Sequence, residues 1–217
     1  MFYPARHKAL STLVLVCSVL IPHAGSAHPV TFEDGIAFSG IFQPGAVLLE
    51  GGYTLSRHVA VGSTYTRIQT KDGEVHGGFA HANLLAYRYN GDGSQGNVYA
   101  IAGGGGGQYR GQDNTGLGYA ALQLDYETIR FYNAFMARAI TDLDEHTYRA
   151  TYRIGFAPYA APYNSLQSWL VAQTMYMPQM DDEWNYSVLL RFFYKTVLWE
   201  IGGDLKGRPW IQLMVHY

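Results

Sequence analysis

The chain is 217 residues long, carries a formal net charge of -2, and has 15% charged residues, 15% aromatic residues and 25 glycines. Soluble domains usually carry about 25% charged residues, so this chain is poorly equipped to cover a water-facing exterior. The lack of a basic excess excludes nucleic acid as a partner, because replacing phosphate counterions needs concentrated Lys and Arg.

Arg6 and Lys8 form a basic start, positions 9–21 are apolar, and Gly25-Ser26-Ala27 places small residues before a cleavage point. Together these read as a secretory signal peptide over residues 1–27. The apolar run is short of the roughly 20 residues that a spanning helix needs. The mature chain is therefore expected to begin at His28 and to form one domain over 28–217. Cys17 is the only cysteine. It leaves with the signal, so no disulfide is expected and stability must come from strand pairing.

The rest reads as strands separated by turn chemistry. Candidate strands run over about 36–43, 46–56, 58–69, 74–89, 97–110, 116–128, 130–141, 147–157, 166–177, 183–195, 196–203 and 209–217. Turns are expected at Pro44-Gly45, Lys71-Asp72-Gly73, Asn90-Gly91-Asp92-Gly93, Gln112-Asp113-Asn114, Asp142 to Glu145, Asp181-Asp182 and Asp204 to Gly207. In 147–157, Tyr148, Ala150, Tyr152, Ile154 and Phe156 share one parity, and Thr147, Arg149, Thr151 and Arg153 the other. In 183–195, Trp184, Tyr186, Val188, Leu190, Phe192 and Tyr194 oppose Asn185, Ser187, Arg191 and Lys195. The chain ends on Ile211, Leu213, Val215 and Tyr217, apolar at every second position with an aromatic last residue. A final strand of this kind closes an outer-membrane barrel and serves as its assembly signal.

These patterns predict an all-β, up-and-down antiparallel transmembrane β-barrel of about 12 strands, within a range of about 10–12. A soluble, lipocalin-like ligand-binding barrel in the periplasm or at the surface is the alternative, since both kinds of barrel alternate. What separates them is which face is wet. Charges are too few for a soluble exterior. Tyr148, Tyr159, Trp169, Tyr176, Trp184, Tyr194, Trp199 and Trp210 lie near expected strand ends, where membrane barrels carry aromatic girdles.

His28-Pro29-Val30, Gly155-Phe156-Ala157-Pro158-Tyr159, Leu189-Leu190-Arg191-Phe192-Phe193 and the aromatic last residue resemble a group of uncharacterised proteobacterial outer-membrane β-barrel proteins. The resemblance implies a Gram-negative outer-membrane location reached through the periplasm. It also implies periplasmic chaperones and the barrel-assembly machinery as partners, with outer-membrane lipid and lipopolysaccharide around the barrel. It implies no particular activity and no oligomeric state.

Arg149, Arg153 and Arg191 share inward parity with Asp125, Glu127 and Glu200. In a narrow barrel such a mixture is expected to form internal salt bridges; in a water-filled lumen the arginines would favour small anions. The glycine run 103–107 lacks the Lys-Ser/Thr and the helix of a phosphate loop, and is read as packing space for neighbouring aromatics. His28, once an N-terminus, would offer an amine beside its imidazole, a chelate suited to Cu(II). His76 and His81 are five apart and point to opposite faces of a strand. Ser168, Ser187 and the acidic turn Asp181-Asp182-Glu183 have no histidine placed beside them, so no enzyme and no cofactor are expected. Almost all connections are short, and the longest, around Ala157 to Ser165, holds Pro158 and Pro162 and reads as a stiff turn. A structural role or a narrow channel for small solutes or ions fits these features.

Overall fold

The computed structural model describes residues 28–142 and 145–217. The signal segment expected over 1–27 lies outside them. Twelve strands form a closed antiparallel ring: β1 (Ile36–Gln43), β2 (Ala46–Ser56), β3 (Val59–Thr70), β4 (Gly73–Gly91), β5 (Ser94–Tyr109), β6 (Gln112–Thr128), β7 (Phe131–Thr141), β8 (His146–Phe156), β9 (Gln167–Met177), β10 (Asp181–Tyr194), β11 (Val197–Asp204) and β12 (Pro209–His216). Each strand pairs with its neighbours in sequence. The ring closes where Phe38 of β1 faces Val215 of β12 and Gly40 faces Leu213. Reciprocal main-chain hydrogen bonds of 2.8 Å between Ile36 and Tyr217 carry that closure to the last residue. Closure leaves no unpaired edge, which a barrel in lipid requires.

Alternation decides which side chains enter the ring. Tyr148, Tyr152, Ile154 and Phe156 of β8 stand exposed on the outside, as do Trp184, Tyr186, Val188 and Leu190 of β10. Buried on the inside are Thr64, Gln173, Ser187, Glu200 and Gln212. Greasy outside and polar inside is the reverse of a soluble barrel, and the lipocalin-like alternative gives way on this point.

Two expected girdle residues are misplaced. Trp210 is buried and Trp169 packs beside it in an interior cluster with Ile41, Leu48, Val171 and Leu189. Parity explains both, since Trp210 shares its face with Gln212 and His216. True outward aromatics include the stacked pairs Tyr176 with Trp184, at 5.1 Å, and Phe192 with Trp199, at 5.7 Å.

Three turns also differ from expectation, the first being that placed at Asp181-Asp182, which falls at 178–180 so that both aspartates open β10. The chain reverses at Arg110 and Gly111, with φ of 49° and 89°, and β6 already begins at Gln112. The polar stretch that looked like the turn is thus the start of a strand. Lys195, expected on the polar face of a strand, sits in the β10–β11 turn with φ 54°.

The glycine run has a different cause from the one expected. A Cβ on Gly103, Gly105 or Gly107 would collide with the main-chain carbonyl oxygens of Ala80, Gly78 and His76 on β4. Backbone approach between β4 and β5, not room for aromatic rings, requires these glycines.

The end opposite the termini is drawn together. The Lys71 N–H donates to the Gln179 carbonyl at 2.7 Å, and Lys71 Nζ lies 2.6 Å from Asp182. These contacts tie the β3–β4 turn to the β9–β10 turn. Beneath them Ala46, Ile68, Val75, Tyr109, Ile140 and Met177 form an apolar cluster inside the ring. The hydroxyls of Tyr109 and Thr147 meet at 3.0 Å in the same layer.

Candidate functional site

Between that cluster and the terminal end lies a cavity of about 160 Å³, lined among others by Arg138, Arg149, Arg153, Arg191, Glu50 and His81. The arginines arrive there by parity alone: Arg138 shares its face with Ala134 and Met136 on β7, and Arg149 and Arg153 share theirs with Thr147 and Thr151 on β8. The lumen is narrow enough for charges on separate walls to meet. Arg138 of β7 reaches Glu50 of β2 at 2.9 Å, and Arg153 of β8 reaches Glu200 of β11 at 3.1 Å.

The expected charge set is all inside, but its members play different parts. Glu200 is buried between two cations, with Arg191 Nε at 2.6 Å and Arg153 Nη1 at 3.1 Å. Both arginines are held further: Arg153 donates to Gln173 at 2.7 Å and lies over Trp210 at 5.3 Å, and Arg191 lies over Tyr132 at 4.3 Å. Both arginines thus share the Glu200 carboxylate as counter-charge, as a low-dielectric interior demands, while Glu200 Oε2 is buried without a hydrogen-bond partner. They are poor candidates for binding a solute.

Arg149 differs. It stands directly opposite Arg138 in the β7–β8 register, an arrangement of like charges that costs stability in a sheet. Glu50 neutralises Arg138, while Arg138 Nη1 is buried without a hydrogen-bond partner. Among the described residues, no carboxylate lies within ion-pair distance of Arg149. Around the cavity, four arginines, Arg138, Arg149, Arg153 and Arg191, face two carboxylates, Glu50 and Glu200. The excess is positive and centred on Arg149.

Asp125 and Glu127 belong to a second group nearer the terminal end. Asp125 accepts hydrogen bonds from Asn97 at 2.7 Å and Gln123 at 3.0 Å. Its other neighbour is His28, whose Nδ1 lies 3.4 Å away, with Glu127 at 3.8 Å from Nε2. Burial pulls the His28 imidazolium toward deprotonation, yet the two carboxylates outweigh it and raise the pKa to about 9. This placement sets the His28 imidazole, the ring of the expected copper chelate, against Asp125 and Glu127. Its ring is committed to two carboxylates, and among the described residues no three His, Cys, Asp or Glu gather to hold a metal.

Other expected positions resolve simply. His81 enters the lumen and bonds Thr64 at 2.9 Å, whereas His76 meets Glu74 at 3.0 Å. Ser187 donates to Asn185, and Ser168 meets the Tyr159 hydroxyl. Asp181 and Glu183 pair with Lys206. Arg138 and Glu50 escaped the sequence reading, although Arg138 shares a face with Ala134 and Met136. Strand parity could have found Arg138; its pairing across the lumen with Glu50 could not be seen without closure.

No family model matches the chain, and no curated protein matches it by sequence. Among solved structures the chain is similar to a KdgM porin, with a TM-score of 0.50, 14% identity, and coverage of 84% of this chain and 98% of that one. A KdgM porin in complex with disordered oligogalacturonate also aligns, with a TM-score of 0.49, 13% identity and the same coverage. At such identity the likeness concerns the fold: a closed antiparallel barrel of twelve strands, of the kind that outer-membrane porins use.

Proposed function

We propose that the protein is a small outer-membrane β-barrel, a channel and not an enzyme, which conducts small anionic solutes through a narrow lumen. The observation that carries this reading is Arg149, a guanidinium that lines the cavity, has no ion-pair partner among the described residues and faces Arg138 across one sheet register. A preorganised cation in a low-dielectric lumen lowers the free energy of an anion that passes it, and raises that of a cation. The apolar exterior supports location in the outer membrane of a Gram-negative cell, among lipid and lipopolysaccharide. With it come the expectations of a signal over 1–27, periplasmic chaperones, the barrel-assembly machinery as reader of the last strand, and termini facing the periplasm. Kinship with the uncharacterised proteobacterial barrel proteins belongs to the same reading.

Ion selectivity in planar bilayers tests it. The wild-type barrel should prefer chloride to potassium, and Arg149→Glu should reverse or abolish that preference by giving Arg138 a second carboxylate. Arg153→Gln should disturb selectivity less, because Glu200 remains paired with Arg191. An unchanged permeability ratio in Arg149→Glu, or no conductance from any folded form, would remove the reading.

A further inference from the structure

The first described residues do not trail away from the barrel but enter it. His28 and Val30 are buried, Val30 completely, although both precede β1. Val30 packs with Ala60 of β3, Leu85 of β4 and Tyr99 of β5. Asn83 donates to the Pro29 carbonyl at 3.0 Å, and the Thr31 N–H donates to the Thr54 hydroxyl at 3.1 Å. The segment then leaves along β2, with Asp34 N–H donating to the Thr54 carbonyl and Thr54 N–H to that of Gly35, each at 2.9 Å. At its inner tip His28 meets Asp125 and Glu127 of β6 and lies 5.6 Å from the Tyr99 ring. Arg88 of β4 ties Asn97 and Tyr99 together beneath it, by bonds of 2.7 and 3.3 Å.

His28 and Pro29 also line the arginine cavity, as does His216 of β12. The segment is therefore the floor of that cavity on the terminal side, while the apolar cluster and the joined turns roof it on the other. We infer that residues 28–31 form a docked plug that closes the terminal mouth of the lumen, seated by Val30 in an apolar socket and by His28 against Asp125 and Glu127. The seat is small. It rests on one valine, one ion-paired histidine and a few hydrogen bonds, from Asn83 to Pro29, from Asn97 to His28 and between Thr31 and Thr54, an amount of contact that can be released without unfolding the twelve-stranded wall. A solute in the cavity then reaches the terminal side only when the segment withdraws, which makes the plug a gate separate from the arginines that select.

Access of a thiol reagent to the cavity tests this. Residues 28–217 contain no cysteine, so Thr151→Cys, on the cavity wall, introduces a reporter. Leu205→Cys, in an exposed turn, calibrates the reagent. In outer-membrane fractions a negatively charged methanethiosulfonate should label Cys at 151 far more slowly than Cys at 205. Adding Val30→Asp, or Asp125→Asn with Glu127→Gln, should speed labelling at 151 by about tenfold or more, as expected when a docked state loses its advantage, with 205 unchanged. Heat-modifiable gel mobility confirms that each variant is folded. Should Val30→Asp fail to fold, Asn83→Ala removes a plug contact without placing a charge in the socket. Labelling at 151 as fast as at 205 in the parent, or unaltered by every folded seat variant, would overturn the plug. Labelling reports access whether or not ions cross, so a barrel with a releasable plug and no conductance would sink the channel and leave the plug standing.

Discussion

Glu200 sits between Arg191 at 2.6 Å and Arg153 at 3.1 Å, with its side chain shielded from solvent. Removing one partner from such a cluster leaves two buried cations to repel each other, a loss of about 3 kcal/mol or more. Glu200→Gln is therefore expected to lower the midpoint of denaturant unfolding in detergent. Arg149→Gln should leave it unchanged or raise it, because that change removes a like charge opposite Arg138. Equal losses in the two variants would mean that both charges serve structure alike. The same contrast explains how the three arginines Arg149, Arg153 and Arg191 could be placed in the lumen from sequence and yet not be told apart. Parity assigns a face, and the β10–β11 register sets Arg191 opposite Glu200, but only the curved wall brings Arg153 of β8 to the same carboxylate and leaves Arg149 outside that group.

At the scale of a strand, the β4–β5 pair shows why glycine in a wall is not uniform. Gly105 points inward at a place where the backbone of Gly78 occupies the position of a Cβ, whereas a Cβ on Gly78 would meet nothing within 4 Å. Gly105→Ala should force the two strands apart and cost about 1–3 kcal/mol, the range for overpacking. Gly78→Ala, on the open side, should stabilise by about 0.5 kcal/mol through the unfolded chain. Unfolding midpoints of the two variants check this, and matching changes would contradict a close approach confined to one face. Strand order, strand count and most boundaries were legible because period-2 alternation and turn residues are local signals, as in β8 and β10. Curvature was not legible, since the collision at Gly103, Gly105 and Gly107 arises from the neighbouring backbone. Nor was the turn at Arg110-Gly111, where an arginine takes up a positive φ that Gln112-Asp113-Asn114 advertised more strongly. The seating of His28 and Val30 inside the ring had no local signature either, since neither belongs to a strand.

Taken as one body, the barrel is organised by a single division: Phe38, Leu122, Leu190, Ile211 and Leu213 face out, and Arg191, Asp125, Glu200, Gln123, Gln173 and Gln212 face in. The lumen is layered along its length, with the apolar cluster beneath the joined turns, the arginine cavity in the middle, and the His28 segment at the terminal end. In the proposed reading, anion preference would belong to the middle layer and access to the two outer ones. Both depend on the wall standing in lipid with its faces the right way round. The four tryptophans report on that directly, because Trp184 and Trp199 lie on the outer face while Trp169 and Trp210 lie on the inner one. Single-tryptophan variants in vesicles of brominated phospholipid should show strong fluorescence quenching at Trp184 and Trp199 and little at Trp169 and Trp210. Quenching as strong at Trp210 as at Trp184, or none at any of the four, would contradict a barrel that turns its apolar face to the membrane.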